Sequence, residues 1–331
     1  MPWLHARVHT LREADTPYGV GRAVAAELRE WVDDNPSTSD EEGVRVVRGA
    51  TGFVGRVIID DQDYEARDVP LWLHAGGGSL DDVREVLAKI LEAGEGIGVE
   101  DGHHGMTPFM NAASEGQTSV LQVLLDAGAD PTFVMRTTGN TSLIRASQWK
   151  PETVAFLLQL PEVAMTIDAQ NKQGYSALSW ASMQGCYGSV KLLLDRGANV
   201  ETLTYIRGTA LAHACSCGHL RIAKLLLAHG ANPSHLMEDN VSIFYGAVDQ
   251  DHDDTANQLA ILELLFEAGA DIEAPALDGN TPLHAAASMG YVTALRFLLS
   301  KNIKIGVRNI WQVTPLHNAV NQEQTESVHM I

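Results

Sequence analysis

The sequence of 331 residues is poor in basic side chains: 23 lysines and arginines stand against 42 aspartates and glutamates, a net charge of −19. The phosphate backbone of DNA or RNA repels a chain with this charge. The acidic excess is spread along the whole sequence, and no basic tail interrupts it. We therefore expect no general binding of nucleic acids.

Cysteine is also scarce. Cys186, Cys215 and Cys217 are too few, and odd in number, for a framework of paired disulfides, which favours a reducing compartment. The first fifteen residues carry charges where a secretory signal needs an apolar run. We expect a location in the cytoplasm, with the nucleus as the alternative.

Long apolar runs are missing as well. The uncharged stretch Gly279–Leu295 is 17 residues long and is broken by Asn, Thr, Pro, His and Gly, so we expect no membrane insertion. Hydrophobic residues nevertheless make up 45% of the chain and charged residues 20%, which is the composition of a folded protein.

The sequence is rich in self-similarity. The hexapeptide 281–286, Thr-Pro-Leu-His-Ala-Ala, recurs at 314–319 and more loosely at 107–112. The equivalent of its Thr in each copy, which we call the anchor, falls at Val69, Thr107, Thr141, Ser176, Thr209, Ser242, Thr281 and Thr314. The intervals are 38, 34, 35, 33, 33, 39 and 33 residues. Such a period predicts stacked copies of one structural unit.

Each copy has the features of a helix pair. The anchor Thr is suited to cap a helix whose first residue is Pro, and Leu283, Ala286 and Ala287 then form a short apolar stripe. Gly290 ends this first helix, and Leu295, Leu298 and Leu299 lie on one face of a second. Four copies close with Gly-Ala-Asp or Gly-Ala-Asn. One pair cannot bury both of its apolar faces, so the pairs must stack.

These residues resemble the ankyrin repeat family, whose pattern combines Gly-x-Thr-Pro-Leu-His-x-Ala, a Leu-Leu pair and a closing Gly-Ala-Asp. The resemblance covers residues 69–331 and implies a mainly α solenoid of seven to eight helix pairs with short β-hairpin loops, the last one incomplete. The copy at Thr141 lacks the Gly-Ala close, and the copy at Ser242 lacks Pro and His. We expect residues 1–68 to form a small separate α+β segment.

The N-terminal segment has a different periodicity. A helix is predicted at 21–34, a polar linker at 35–42, and two strands at 44–47 and 57–59 around the glycine-rich turn 49–55. The turn resembles the dinucleotide signature of short-chain dehydrogenases, but a strand and an acidic run follow where a phosphate site needs a helix. The segment also faintly resembles SH3-like barrels. We expect no cofactor.

Three groups of residues resemble metal or catalytic sites. The run His213-x-Cys215-x-Cys217-x-His219 has zinc-binding residue types, but the repeat register makes Cys215 a small buried residue and His219 a surface residue. Asp249, Asp251 and Asp253 alternate as in a calcium loop that lacks its Gly and Glu. The recurrence of His284 and His317 favours a structural hydrogen-bonding role. We therefore predict no metal site and no catalytic residue.

A partner-binding surface is predicted on the concave face of the middle repeats. The resemblance places binding residues on the exposed side of the first helices and at the hairpin tips. The residues there are Trp149, Trp180, Met183, Tyr205, Ile206 and Cys217, which include types enriched in binding hot spots. In the alternative, Trp149 fills a gap in its irregular repeat and Trp180 packs on a neighbouring helix.

The resemblance implies a non-enzymatic scaffold that binds a protein partner and no small-molecule cofactor. The alternative is the binding arm of a larger enzyme, such as a kinase, a ubiquitin ligase or an acyltransferase, with its chemistry encoded beyond residue 331. In the last repeat, Val328 aligns with Val190 and Leu295, so the second helix ends early. We expect residues 321–331 to fray.

Overall fold

The computed structural model describes residues 44–48, 54–59, 62–65, 71–77, 79–92, 96–98, 105–248 and 255–331. The predicted helix at 21–34, the centre of the glycine turn and the alternating aspartates at 249–253 lie outside these residues. The chain divides into two compact units, Met1–Thr137 and Thr138–Ile331. The expected domain boundary between residues 68 and 69 stays a prediction.

The first unit contains an antiparallel sheet of three strands in the order β1-β2-β3: β1 Val44–Arg48, β2 Val54–Ile59 and β3 Gln62–Glu65. The β1–β2 hairpin confirms the two strands predicted around the glycine turn, with Val46 paired to Val57. Gly55 lies inside β2, so no helix begins there to receive a pyrophosphate. Strand β3 was not predicted from the sequence, because its acidic residues indicated an exposed run.

Four helices complete the described part of this unit: α1 Leu71–Gly77, α2 Leu80–Glu92, α3 Pro108–Glu115 and α4 Thr118–Asp126. Helix α3 begins and ends as the motif predicts. The Thr107 side chain accepts a hydrogen bond from the Met110 backbone N–H at 3.3 Å, and Gly116 ends the helix in the left-handed conformation. Thus the repeat register is already established in the first unit.

The second unit is a stack of helix pairs. The helices are α5 Ser142–Ser147, α6 Pro151–Leu157, α7 Pro161–Ala164, α8 Ala177–Met183, α9 Tyr187–Asp195, α10 Ala210–Ser216, α11 Leu220–Ala228, α12 Ile243–Val248, α13 Thr255–Glu267, α14 Pro282–Met289, α15 Val292–Ser300, α16 Pro315–Asn321 and α17 Thr325–Met330. The helix-pair solenoid predicted from the resemblance is confirmed in this unit.

The first helices of neighbouring repeats pack on one another through small residues. Five positions after each anchor of the second unit the residue is alanine, and all six of these alanines are buried: Ala146, Ala181, Ala214, Ala247, Ala286 and Ala319. A methyl group at this position lets two helix backbones approach closely, as the sequence pattern predicted. The stack is therefore held by contact between repeats.

The hairpin tips form a continuous ladder of backbone hydrogen bonds. Each step joins two neighbouring repeats. The donor is the backbone N–H four residues before the anchor of the later repeat, and the acceptor is the carbonyl three residues before the anchor of the earlier repeat. The five steps are Lys172 to Thr138 at 2.8 Å, Tyr205 to Gln173 at 3.1 Å, Glu238 to Ile206 at 3.0 Å, Leu277 to Asp239 at 2.7 Å and Ile310 to Asp278 at 3.0 Å. This ladder fixes the spacing and order of the tips.

A second set of hydrogen bonds joins the beginnings of the loops that lead to the tips. The Asn199 N–H donates to the Asp168 carboxylate, and the Asn232 N–H to the Glu201 carboxylate, both at 2.8 Å. The irregular repeat at Thr141 uses a different hydrogen bond, because helix α7 replaces the Gly-Ala close in this repeat. There the Arg196 guanidinium donates to the Leu158 carbonyl at 2.6 Å and satisfies the end of α6.

Candidate partner-binding surface

Three consecutive repeats carry the six residues predicted to bind a partner. We call their tips and first helices, residues 138–149, 171–184 and 204–217, the tip–helix surface. Trp149 is 57% exposed and Tyr205 is 74% exposed, and Ile206 and Cys217 are also exposed. Trp180 and Met183 are half-buried. The suggestion that Trp149 fills a gap in its repeat is wrong, because more than half of it faces solvent.

The six residues are distributed along the surface rather than gathered at one point. Tyr205 and Ile206 lie at a tip, Trp180 lies midway along α8, and Trp149, Met183 and Cys217 follow at the far ends of the first helices. A seven-residue helix is about 10 Å long, which is the order of the distance from tip to far end. The surface is thus a strip with an aromatic side chain on each repeat.

A ring cluster links the tip to the first helix. Tyr175 meets Trp180 edge to face, with ring centroids 5.3 Å apart, and its other neighbour is His213 at 5.2 Å. Burial raises the pKa of the Tyr175 phenol, and the nearby Cys217 thiol adds to that shift. Tyr175 was not predicted as part of the site, since its only signal in the sequence is its position next to the anchor Ser176.

His213 joins the ring cluster to the next tip. Its Nε2 lies 3.3 Å from the Thr204 hydroxyl, which also accepts from the Gly208 N–H and donates to the Gly208 carbonyl. Burial lowers the pKa of His213 to about 4, so the ring is neutral near pH 7. His213 is therefore a structural residue.

The run of histidines and cysteines does not converge. Cys215 is buried, which raises the pKa of its thiol, whereas Cys217 is exposed. His219 was predicted to lie on the surface, but its ring packs beside Gly185 and its Nε2 lies 3.1 Å from the Met183 carbonyl. Among the residues that the structure describes, no three His, Cys, Asp or Glu side chains are grouped to hold a metal ion.

The two motif histidines cap their helices, as expected. The Nδ1 atom of His284 accepts the Thr281 backbone N–H at 3.1 Å, and its Nε2 lies 3.2 Å from the Val313 carbonyl of the next repeat. Burial lowers the pKa of His284. In the same way, the Nδ1 atom of His317 accepts the Thr314 backbone N–H at 3.4 Å. His284 thus joins its helix cap to the next repeat, whereas the hydrogen bonds of His317 stay within its own repeat.

Charge separates the tip–helix surface from the next two repeats. Its three segments contain the basic residues Arg145, Lys172 and Arg207 and no Asp or Glu. The equivalent segments 237–248 and 276–289 contain three acidic residues, at 238, 239 and 278, and no Lys or Arg. The three segments of the tip–helix surface thus contain three basic and four aromatic residues.

Comparison with known proteins decides the family. A family model described as ankyrin repeats in three copies matches residues 71–166, 109–204, 162–237 and 252–331, which is most of the chain.

The chain belongs to the ankyrin repeat family.

Relatives of this ankyrin repeat chain include the B-cell lymphoma 3 protein homolog of Mus musculus, 26% identical over 70% of the chain and 51% of the relative. The ankyrin repeat and KH domain-containing protein mask-1 of Caenorhabditis elegans is 28% identical over 76% of the chain and 10% of its own length. The chain thus spans about half or less of these relatives. A putative palmitoyltransferase ZDHHC13 of Danio rerio is 26% identical over 69% of the chain and 34% of the relative.

A solved structure supports the same fold. The human ASB11 ankyrin repeat domain superposes with a TM-score of 0.57 at 22% identity, over 68% of this chain and 98% of that domain. In the described part of the ankyrin repeat chain, every helix is too short or too polar to cross a bilayer.

Proposed function

We propose that the chain is a non-enzymatic interaction scaffold that binds a protein partner on the concave face of its middle repeats. Ankyrin repeats are generally protein–protein interaction modules. The observation that carries the proposal is the exposure of large apolar side chains on a surface whose backbone is fixed by the tip ladder. A rigid surface loses little conformational entropy when a partner binds.

The residues assigned to binding are Trp149, Trp180, Met183, Tyr205, Ile206 and Cys217, joined by Tyr175. Trp and Tyr offer large contact area at small entropic cost, and exposed apolar groups on neighbouring elements are typical of interaction sites. The proposed partner is a protein, and nucleic acid is disfavoured by the net charge of −19. We propose a reducing compartment, the cytoplasm or the nucleus, because all three cysteines are free thiols.

The test is partner capture by the full chain, followed by alanine substitution. Trp149→Ala and Tyr205→Ala should each weaken capture by roughly 1 to 4 kcal/mol and change the melting temperature little, because both side chains are mainly exposed. Trp311→Ala is the matched control, since Trp311 is 64% exposed at a tip outside the surface. Unchanged capture together with a large fall in melting temperature would assign Trp149 and Tyr205 to the core.

A second candidate is the binding arm of an enzyme, and a palmitoyltransferase among the relatives favours it. Palmitoyl transfer is an acyl transfer, one of the reaction classes predicted for such an arm. In this case the repeats would hold the protein substrate. The two candidates differ in the captured partner: a partner that is a substrate of acyl transfer favours the binding arm, and a partner that is not acylated supports the scaffold. Turnover of an acyl donor by the purified chain alone would contradict both candidates, because it would place chemistry within these 331 residues.

A further inference from the structure

The tip that carries Tyr205 and Ile206 contains a turn that needs support from its surroundings. Arg207, two residues before the anchor, has φ of 56°, in the left-handed region where four other repeats have glycine. An L-residue seldom adopts this conformation, because its Cβ comes too close to the following carbonyl oxygen. The turn therefore persists only if neighbouring groups fix it.

The Thr204 hydroxyl lies at the centre of the contacts that fix this turn. It accepts the Gly208 N–H at 3.1 Å and lies 3.2 Å from the Gly208 carbonyl, so it joins the two ends of the tip. Nε2 of His213 lies 3.3 Å from the same hydroxyl. Both side chains are buried, with Thr204 4% and His213 7% exposed. His213 thus holds the hydroxyl that closes the turn.

Two other copies fix their tips through asparagine. Asn171 and Asn309 lie five residues before their anchors, and the Oδ1 atom of each accepts two N–H groups of its own tip at 2.9 to 3.1 Å. The Nδ2 group of each donates to an asparagine of the preceding repeat, Asn140 at 2.8 Å or Asn280 at 2.9 Å. One side chain therefore fixes the tip and joins it to the preceding repeat.

The copy at Thr209 has other residues at both of these positions. Thr204 replaces the asparagine of the tip, and Tyr175 replaces the asparagine of the preceding repeat. The Thr204 hydroxyl accepts only one N–H of the tip. His213 connects the two replacements, since its Nε2 contacts Thr204 and its ring centroid lies 5.2 Å from that of Tyr175. The connection between tip and preceding repeat therefore runs through the ring cluster with Trp180.

We propose that His213 is a positioning residue for partner binding. Through Thr204 it fixes the tip that presents Tyr205 and Ile206, and through Tyr175 it joins this tip to the ring cluster. The partner then meets one preformed surface, and little conformational entropy is lost on binding. The inference rests on the proposed function and specifies how its binding surface is held in place.

The first measurement is hydrogen exchange of the Gly208 amide in the free full chain, followed by NMR. His213→Leu keeps an apolar side chain in the buried site but removes the ring nitrogens, and it should raise the exchange rate at least about tenfold. Thr204→Val, which removes only the hydroxyl and leaves the His213 ring in place, should raise the rate as well. This second variant tests the same contact if His213→Leu does not fold.

The decisive variant supplies the asparagine of the other copies. In Thr204→Asn/His213→Leu the exchange rate of Gly208 should return to within about twofold of the wild type, since the new side chain can accept the tip N–H groups without His213. A residue that acts only by filling space would not be rescued in this way.

The matched control is His284→Leu. His284 is also buried, and its Nε2 contacts the Val313 carbonyl of the next repeat. This variant should lower the melting temperature and leave the Gly208 exchange rate unchanged. Circular dichroism and thermal unfolding establish that each variant is folded.

The second measurement is the affinity of a Fab fragment for the tip. The Fab is selected from a phage-displayed library on the wild-type chain and depleted on Tyr205→Ala, so that its binding depends on Tyr205. If His213→Leu leaves the tip in its bound conformation about a tenth of the time, the apparent Kd rises about tenfold. The Kd for Thr204→Asn/His213→Leu should stay within about twofold of the wild-type value.

An unchanged Gly208 exchange rate in His213→Leu, an equal rise in His284→Leu, no rescue by Thr204→Asn, or an unchanged Kd of the Fab for His213→Leu would each overturn this inference. The proposed function fails separately: its failure is capture of a protein partner that is insensitive to both Trp149→Ala and Tyr205→Ala. Capture that depends on these residues but not on His213 keeps the function and rejects the positioning role.

Discussion

The repeats at Thr281 and Thr314 begin with the same Thr-Pro-Leu-His sequence, yet they differ in burial. Leu283 is 1% exposed, whereas the equivalent Leu316 is 40% exposed. Six positions after the anchor, Ala287 is fully buried and Val320 is 56% exposed. Helix α14 packs between α12 and α16, while α16 has only α14 beside it among the described first helices. Equivalent positions are therefore core or surface according to their neighbours.

The largest expected effect is the difference in stability between alanine variants of the two leucines. Leu283→Ala should lower the free energy of unfolding by about 2 to 5 kcal/mol, because it leaves a cavity between repeats. Leu316→Ala should cost less than about 1 kcal/mol, since much of its side chain already faces water. Urea unfolding, fitted with a nearest-neighbour repeat treatment, measures both. Equal losses would contradict the comparison.

A second expected effect depends on pH and on the buried ring of His213. Its pKa is about 4 in the folded chain, against an ordinary value of 6.5, so the unfolded chain binds more protons between these values. Its contribution to stability is therefore fully present above pH 6.5 and is lost as the pH falls toward 4, by up to about 3 kcal/mol.

The measurement is urea unfolding of the wild type and of His213→Asn at several pH values between about 4 and 7.5. The variant should show a shallower loss of stability on acidification. Its stability at neutral pH should already be lower than that of the wild type, because the contact with Thr204 is lost. A slope identical to that of the wild type would show that His213 does not carry this dependence. His284, whose pKa burial also lowers, should contribute in the same direction.

A third effect compares a glycine that touches the next repeat with a glycine that has open space around it. Gly174 has φ of 81°, and an added Cβ would lie 2.7 Å from the Tyr205 nitrogen. Gly197 has φ of 82° with open space around it. Gly197→Ala should cost about 1 to 2 kcal/mol from backbone strain alone. Gly174→Ala should cost about 1 to 3 kcal/mol more, because the tips must separate. Equal melting temperatures for the two variants would argue against tight tip packing.

The smallest effect is local opening of the last repeat. Helix α17 has six residues, whereas α9, α11 and α15 have nine each. Hydrogen exchange of backbone amides should find residues 321–331 the least protected part of the second unit, because few neighbours cover them. If residues 321–331 were protected as strongly as α9, local stability would not depend on the number of neighbouring repeats.

Much of the fold could be predicted from local signals. Thr107, Thr209 and Thr314 cap helices at the predicted positions, since a Thr followed by small apolar residues encodes a helix start in any copy. The strand β3 and the contact of His219 with the preceding repeat could not be predicted in this way. Strand pairing joins separate segments, and the ring of His219 is placed by Gly185 of the preceding repeat.

The candidate surface was only partly predictable for the same reason. The register indicated that Trp149, Tyr205 and Ile206 belong to exposed positions, and the structure shows them exposed. It did not indicate Tyr175, because ring contacts with Trp180 and His213 depend on how two neighbouring repeats are stacked.

The sequence by itself determined the period, the caps and the alanines at the helix contacts, because each depends on residues close in the chain. Tertiary structure alone decided which copies of the motif are buried, how the tips join into one ladder, and how the rings of Tyr175, Trp180 and His213 become neighbours. Burial and hydrogen bonds between repeats are properties of pairs of repeats. They cannot be predicted from the sequence of one repeat considered alone.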